Sequence, residues 1–368
     1  MKTKRRAPRA RLAAVGVATT CALFVAGCGA ANEGGGGDAA EGSGVSGTIA
    51  GAGASSQQAA MQSWIAGFGE ANTGATVNYD PVGSGGGRTQ FIEGGVQFAG
   101  SDAYLEDEQL TQARERCGGS VIEIPNYVSP IAIVFKLDGV QELNLAPATI
   151  AGIFKGEIKT WNDPKIAADN PGVQLPASPV TPVHRSDESG TTENLTDFLN
   201  KAAPDVWTDE ADGNWPVQGG EAAQGTSGVV GAVNAGNGTI GYADASQAGE
   251  LGKANVKLGE TNVAPTAEAA AKILEESQRV EGQGDTSFAY ELNRTATGGA
   301  YPVVLVSYLM ACPTYPDQAQ ADVTKAFLNY VVSDAGQQAA AQAAGSAPLS
   351  ETLRGQITPV IDRIAAGS

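Results

Sequence analysis

The run SPVTPVHRSDESGTTENLTDFL, residues 178–199, holds three kinds of segment in succession. Its first part, through His184 and Arg185, is strand-like. Ser189 and Gly190 lie at a turn, and Leu195, Phe198 and Leu199 recur at the spacing of one helix face. An arginine, two acids, two serines, a glycine and two threonines between a strand and a helix have two chemical readings. They are a nucleophile with its base, or a cradle for an anion.

Working outward, the same strand–turn–helix pattern recurs three times. In SGTIAGAGASSQQAAMQSWIAGFGEANTG (46–74) a strand empties into Ser55 and Ser56, and Met61, Trp64, Ile65 and Phe68 mark the face of the helix that follows. ATVNYDPVGSGGGRTQFIEGG (75–95) is a strand and a Gly-rich turn, with Ser84 in the turn, leading into a short helix. GVQFAGSDAYLEDEQLTQARERC (95–117) carries Asp102 just after a strand. The alternation predicts an α/β fold, and roughly 320 residues from Ser46 onward suffice for two lobes. A helix N-terminus presents unpaired N–H groups and partial positive charge, and ligands of open α/β sheets collect beyond the strand C-termini.

Taken singly, each feature has a plain structural explanation. Serine at a helix start is a cap. GSGGGR does not match G-x-G-x-x-G, Asp102 could cap the next helix, and His184 reads as a scaffold residue at a strand end. Arg185 with Asp187 could be a solvated ion pair of little energetic weight. The anion reading rests on the recurrence of all four turns in one structural position. Within it, Asp187 pairs with Arg185 and orients the guanidinium.

The N-terminus speaks to compartment. MKTKRRAPRAR is a basic leader and LAAVGVATTCALFVAG (12–27) a short apolar stretch, together reading as a secretory signal over 1–27. The stretch ends VAGC, which resembles the lipobox of bacterial lipoproteins and implies lipidation at Cys28, with an anchor on the outer face of the cell membrane. The Gly-rich segment 28–45 suits a flexible tether. Loss of the leader removes six basic residues and takes the formal net charge from −17 to about −23, a poor balance for binding nucleic acid. With Cys21 in the leader and Cys28 acylated, Cys117 and Cys312 remain. In an oxidising compartment they pair most simply, the alternative being two buried thiols.

Catalytic and metal chemistry find little support. His184, Asp187 and Ser189 lie too close in sequence for a normal triad, whose members arrive from separate turns. There is no G-x-S-x-G elbow and no P-loop, and one histidine without CxxC spacing supplies no zinc site. The reading is a binding protein, not an enzyme, with no metal and no cofactor.

GAGASS (51–56), GSGGG (83–87), FAGSDAYL (98–105), IFKGEIKTWNDPKI (153–166), HRSDESGTT (184–192) and GTIGYAD (238–244) resemble, in order, the phosphate-binding lipoproteins of bacterial high-affinity phosphate ABC transporters, of the actinobacterial type. The resemblance covers about residue 46 to the C-terminus. It implies a two-lobed periplasmic-binding-protein fold with two chain crossovers, near Pro125 and Tyr301, and a ligand cleft between lobes. Lobe one would be 46–124 with 302–368, and lobe two 125–301. For phosphate it implies the Ser55 hydroxyl, the Ser56 N–H, Ser84, Asp102, Arg185, Ser189, the Gly190 N–H and Thr191. Ser55 stands where many members carry Thr, and Ser56 where many carry an aromatic. The implied partners are inorganic phosphate, permease subunits and, through the lipid, the membrane. Three alternatives stay open at this point: another tetrahedral oxyanion such as sulfate, against which Asp102 would discriminate; a secreted phosphoester hydrolase; and a surface adhesion lipoprotein.

Overall fold

The structure is a computed structural model that describes residues 44–367, apart from the side chain of Asp107. The leader 1–27, Cys28 and nearly all of the tether lie outside the described residues.

Strand β1 (Ser46–Gly53) leads into helix α1 (Gln58–Ala71), and β2 (Gly74–Asp80) into α2 (Ser84–Ile92). β3 (Phe98–Ser101) then precedes α3 (Asp107–Arg116). The 15-residue β4 (Ile122–Lys136) follows, then β5 (Thr181–Arg185) with α4 (Gly190–Ala202), and β6 (Glu221–Ala223) with α5 (Gly225–Ala235). β7 (Thr239–Asp244), β8 (Gly252–Leu258) and β9 (Val304–Ala311) complete the strands that matter here. They belong to one mixed sheet of order β2-β1-β3-β9-β4-β7-β5-β6, with β8 beside β4.

β1 runs parallel to β2 and β3, and β5 parallel to β6 and β7, so the two halves are parallel sheets flanking antiparallel β4 and β9. β4 belongs to both halves. Its residues Ile122–Pro130 pair with β9, and Ile131–Lys136 pair with β7. Because it is covered on both faces, β4 is buried almost throughout and shows no polar alternation.

Local chemistry explains the elements. Met61, Trp64 and Phe68 of α1 are buried, each such side chain stabilising by roughly 1.5–3 kcal/mol, while Ile65 is half-buried at the edge. Trp64 donates its indole N–H to Gly336 O at 2.8 Å, which satisfies its one polar atom. Ser84 is the first residue of α2 and not part of a turn: the glycine run 85–87 is helical. Three glycines are poor helix formers, and packing overrides the propensity. A Cβ on Gly87 would lie 2.4 Å from Gly53 Cα, so only glycine lets α2 approach β1 this closely.

Cys117, at the end of α3, is disulfide-bonded to Cys312, just past β9. The link spans a sequence separation of 195, for which chain entropy gives a stabilisation of up to about 5 kcal/mol.

Glu123 on β4 is fully buried and accepts from Leu105 N–H and Ser287 Oγ, each at 2.7 Å. Burial pushes its carboxyl up to about 7, against the opposing pull of those two donors and of Arg88 and Arg114. Its folded value lies above its unfolded one, so its contribution to stability is full below about 4.5 and is lost as pH rises through about 7. Asp244, raised by burial to about 6, acts with the same sign. In Glu123→Gln the amide can still accept from Leu105 and donate to Ser287. Denaturant melts at pH 5 and pH 8 should show a loss of stability across this range that is smaller in the variant by roughly 1–3 kcal/mol. Equal losses in both proteins would refute the assignment.

Candidate functional site

The C-terminal ends of β1, β3 and β5 deliver Ser55 and Ser56, Asp102, and Arg185 to one place, and the N-termini of α2, α4 and α5 point into it. Ser55, Ser56, Ser84, Asp102, Arg185, Ser189 and Thr191 are all buried polar residues, each at most 4 % exposed. Such groups persist inside a fold only when hydrogen-bonded.

Asp102 is the hub. Its Oδ1 accepts from Ser56 Oγ at 2.6 Å and from Ser307 Oγ, and its Oδ2 accepts from Thr191 Oγ1 at 2.9 Å. Its backbone N–H donates to Ser84 Oγ at 3.1 Å, and its carbonyl accepts from Asn194 Nδ2 at 2.8 Å. The same Asn194 amide donates to Gly190 O, while its oxygen takes a bond from buried Arg294. Gly190 has to be glycine, since a Cβ there would stand 2.7 Å from Asp102 Cβ and 2.8 Å from Ser84 Oγ.

Ser189 caps α4 by accepting from Thr192 N–H at 3.3 Å, which leaves its own hydroxyl hydrogen free to donate. The N–H groups of Gly190 and Thr191, in the first turn, have no acceptor within the helix. α4 therefore offers two amides and a hydroxyl with the helix dipole behind them.

Arg185 is 3 % exposed. It holds Asp187 bidentately, Nε to Oδ1 at 2.8 Å and Nη2 to Oδ2, and Gly225 N–H adds a bond to Asp187 Oδ1 at 3.0 Å. Burial pushes the Asp187 carboxyl up, but its bonds and attraction to Arg185 outweigh that and hold it below the usual carboxylate range. The pair fixes the guanidinium plane and keeps local charge near zero. His184 is scaffold: its ring stacks on Trp215 at 5.1 Å between centroids, and Nδ1 lies 2.9 Å from Arg185 O. Trp215 in turn stacks on Tyr242, whose hydroxyl receives Arg185 N–H at 3.1 Å.

Several participants escaped the sequence reading. Thr226, in the first turn of α5, donates its N–H to Ser55 Oγ at 3.1 Å and pairs its hydroxyl with it at 3.0 Å. Gln247 Nε2 bonds both Ser55 O and Ser56 O. The three-residue strand β6 preceding Thr226 is too short to register as a strand, although the QGTSG run after it is the same turn chemistry. Arg88 of α2 joins Ser101 Oγ at 2.9 Å and Glu188 at 2.7 Å, 100 positions along the chain.

The surroundings are acidic. Burial raises Glu193 to about 7, with Arg88 opposing and Glu106, Glu188 and Asp212 adding to the rise. Among the described residues no three of His, Cys, Asp and Glu are arranged to hold a metal ion. Hydroxyls, amides and one arginine converging beside a single acceptor carboxylate suit a small anion that itself carries a proton.

Residues 38–335 match the PBP superfamily domain. Two curated relatives are Phosphate-binding protein PstS2 of Mycobacterium bovis, 34% identical over 85% of this chain and 86% of its own length, and Phosphate-binding protein PstS 3 of Mycobacterium leprae, 32% identical over 96% and 98%. Among solved structures, a high-affinity periplasmic phosphate-binding protein (PfluDING) with bound phosphate aligns at a TM-score of 0.68 and 24% identity, over 85% of this chain and 93% of its own. A putative phosphate ABC transporter substrate-binding protein with bound phosphate from Clostridium perfringens aligns at 0.59 and 16%, over 81% and 98%. At these identities the structural likeness shows the fold, a two-lobed periplasmic-binding-protein architecture.

Proposed function

As this chain belongs to the phosphate-binding-protein family of the PBP superfamily, we propose that its cradle binds inorganic phosphate outside the cell membrane and hands it to the permease subunits of a phosphate ABC transporter. The observation that carries the site assignment is the meeting of Asp102 with the α4 N-terminus through Thr191, with the Arg185 guanidinium beside Gly83, next to Ser84. We assign as ligands the Ser55 hydroxyl, the Ser56 N–H, Ser84, Asp102, Arg185, Ser189, the Gly190 N–H and Thr191. Asp187 orients Arg185. The donors neutralise the anion's charge with oriented dipoles and one cation, and Asp102 accepts the phosphate's own hydrogen. We read the role as binding, which is what the relatives are named for.

The lobes we assign are 46–124 with 302–368, and 125–301, with the chain crossing near Pro125 and Tyr301. Phosphate would then bridge Ser55, Ser84 and Asp102 of one lobe to the Arg185–Thr191 loop of the other and favour the closed form. The leader 1–27, lipidation at Cys28 and the tether 28–45 complete the proposal. Their support is the VAGC sequence and the Gly-rich run that follows it.

Phosphate at about a thousand times its dissociation constant should stabilise the stripped protein by roughly 4 kcal/mol, and Arg185→Ala should weaken binding by about 2–5 kcal/mol. Calorimetry and thermal melting test both. No stabilisation of the wild type, or a loss below about 0.5 kcal/mol in the variant, would overturn the ligand or the role of Arg185 respectively.

Cys28→Ala should release the protein from the membrane fraction and leave the phosphate affinity of the soluble domain as it was. Full membrane association of that variant in cell fractionation would refute the anchor.

A further inference from the structure

Three hydroxyls hold the Asp102 carboxylate, and they are not equivalent. Thr191 belongs to the proposed ligand set. Ser56 and Ser307 both donate to Oδ1. Among the described residues neither hydroxyl has another hydrogen-bond partner, so both hydrogens point at the carboxylate. An ionised carboxylate accepts about two hydrogen bonds at each oxygen. Oδ1 is therefore filled, and Oδ2, with Thr191 on one side, keeps one position.

The backbone places these two serines deliberately. β9 is antiparallel to β3 with Tyr308 opposite Ser101, which brings Ser307 level with Asp102 just beyond the end of β3. At the same point the β9–β4 register shifts: Ser307 faces Tyr127 and Tyr308 faces Pro125, so Asn126 is the extra residue of a β-bulge. Bulges re-aim neighbouring side chains. Asn126 is itself fixed by a 2.7 Å bond to Gln57, next in sequence to Ser56. Ser56 and Ser307 thus reach Asp102 from β1 and β9, on either side of β3 in the sheet.

We propose that Ser56 and Ser307 are specificity-determining positioning residues, which fill Oδ1 so that Asp102 stays an ionised acceptor with one open position and demands a proton from its ligand. The proposal rests on the phosphate reading above. Two hydroxyl donors on Oδ1 and one on Oδ2 bind a carboxylate more strongly than a neutral acid, so the serines oppose a proton on Asp102. Without them Asp102 could take a proton, lose its charge and donate to an anion that has no hydrogen of its own.

Other charged groups near Asp102 bear on the test. Tyr79 on β2 is held well above the tyrosine range by burial, with the charges of Asp102 and Asp80 adding to it. Asp244, at the end of β7, is raised to about 6 by burial, against its bonds to Ser246, and the charge of Asp102 adds to the rise. Across the cradle stand Arg185 with Asp187, and Arg88 sits on neighbouring Ser101. Asp244 is common to wild type and variants, so the comparison is made between them at each pH.

The test is calorimetry of phosphate-stripped wild type, Ser307→Ala and the Ser56→Ala/Ser307→Ala double variant against phosphate and against sulfate, from pH 5 to pH 8. Sulfate is fully ionised throughout, so its affinity reports the state of the site. The double variant should bind sulfate at least about tenfold tighter than wild type at pH 5, a gain that shrinks toward pH 8, with Ser307→Ala in between. Ser307→Ala removes one buried oxygen without creating a large cavity, which keeps the test open if the double variant folds poorly. Sulfate affinities equal to wild type at every pH, in a variant that still binds phosphate, would overturn the role. A wild type that binds no phosphate would overturn the reading beneath it, and that arm is scored separately.

Discussion

A carboxylate buried at the end of β3 has to be surrounded by donors, and much of the local architecture meets that demand. Asp102 takes bonds from hydroxyls on three elements: Ser56 after β1, Ser307 on β9 and Thr191 on α4. Its backbone ties Ser84 of α2 and Asn194 of α4 to the same point. The glycines follow from it. Gly190 allows α4 to lie against Asp102 and Ser84, and Gly87 allows α2 to lie against β1. Each approach brings a helix N-terminus to the cradle.

Net charge makes the constraint sharper. A chain with a formal charge of −17 cannot gather an anion by its overall field. It relies on short-range dipoles, and the charges near them are paired. Arg185 is joined to Asp187 and Arg88 to Glu188, while Glu106, Glu188, Glu193 and Asp212 gather close by. A desolvated pocket with oriented amides and hydroxyls binds strongly at short range while the acidic exterior discourages loosely held anions. The family to which the chain belongs includes proteins named for phosphate, an anion that such a pocket suits.

How much was legible in the sequence depends on the range of the signal. Strand–turn–helix patterns are local, so the turns carrying Ser55, Ser84, Asp102 and Ser189 could be read from periodicity and turn chemistry. The Gly-rich run at Ser84 reads as a turn from the sequence; the close packing of Gly87 on Gly53 makes it the start of a helix. Ser307 could not be read at all. It lies in VVLVSYLM, a strand buried on both faces, where one serine in an apolar run carries no signal until the β3–β9 register sets it opposite Asp102. Thr226 and the Arg88–Glu188 pair were likewise invisible, since their partners lie 171 and 100 positions away.

We propose that Asp102 is an obligate acceptor facing the bound anion. Asp102→Asn keeps the size of the side chain, removes its charge and adds a donor, so an anion lacking a proton should be admitted. The measurement is the ratio of phosphate to sulfate affinity by calorimetry, in wild type and Asp102→Asn at one pH. The ratio should narrow by at least about a hundredfold, or ~2.7 kcal/mol, with part of the phosphate affinity retained. An unchanged ratio would mean that Asp102 is a structural cap and that discrimination lies elsewhere in the cradle.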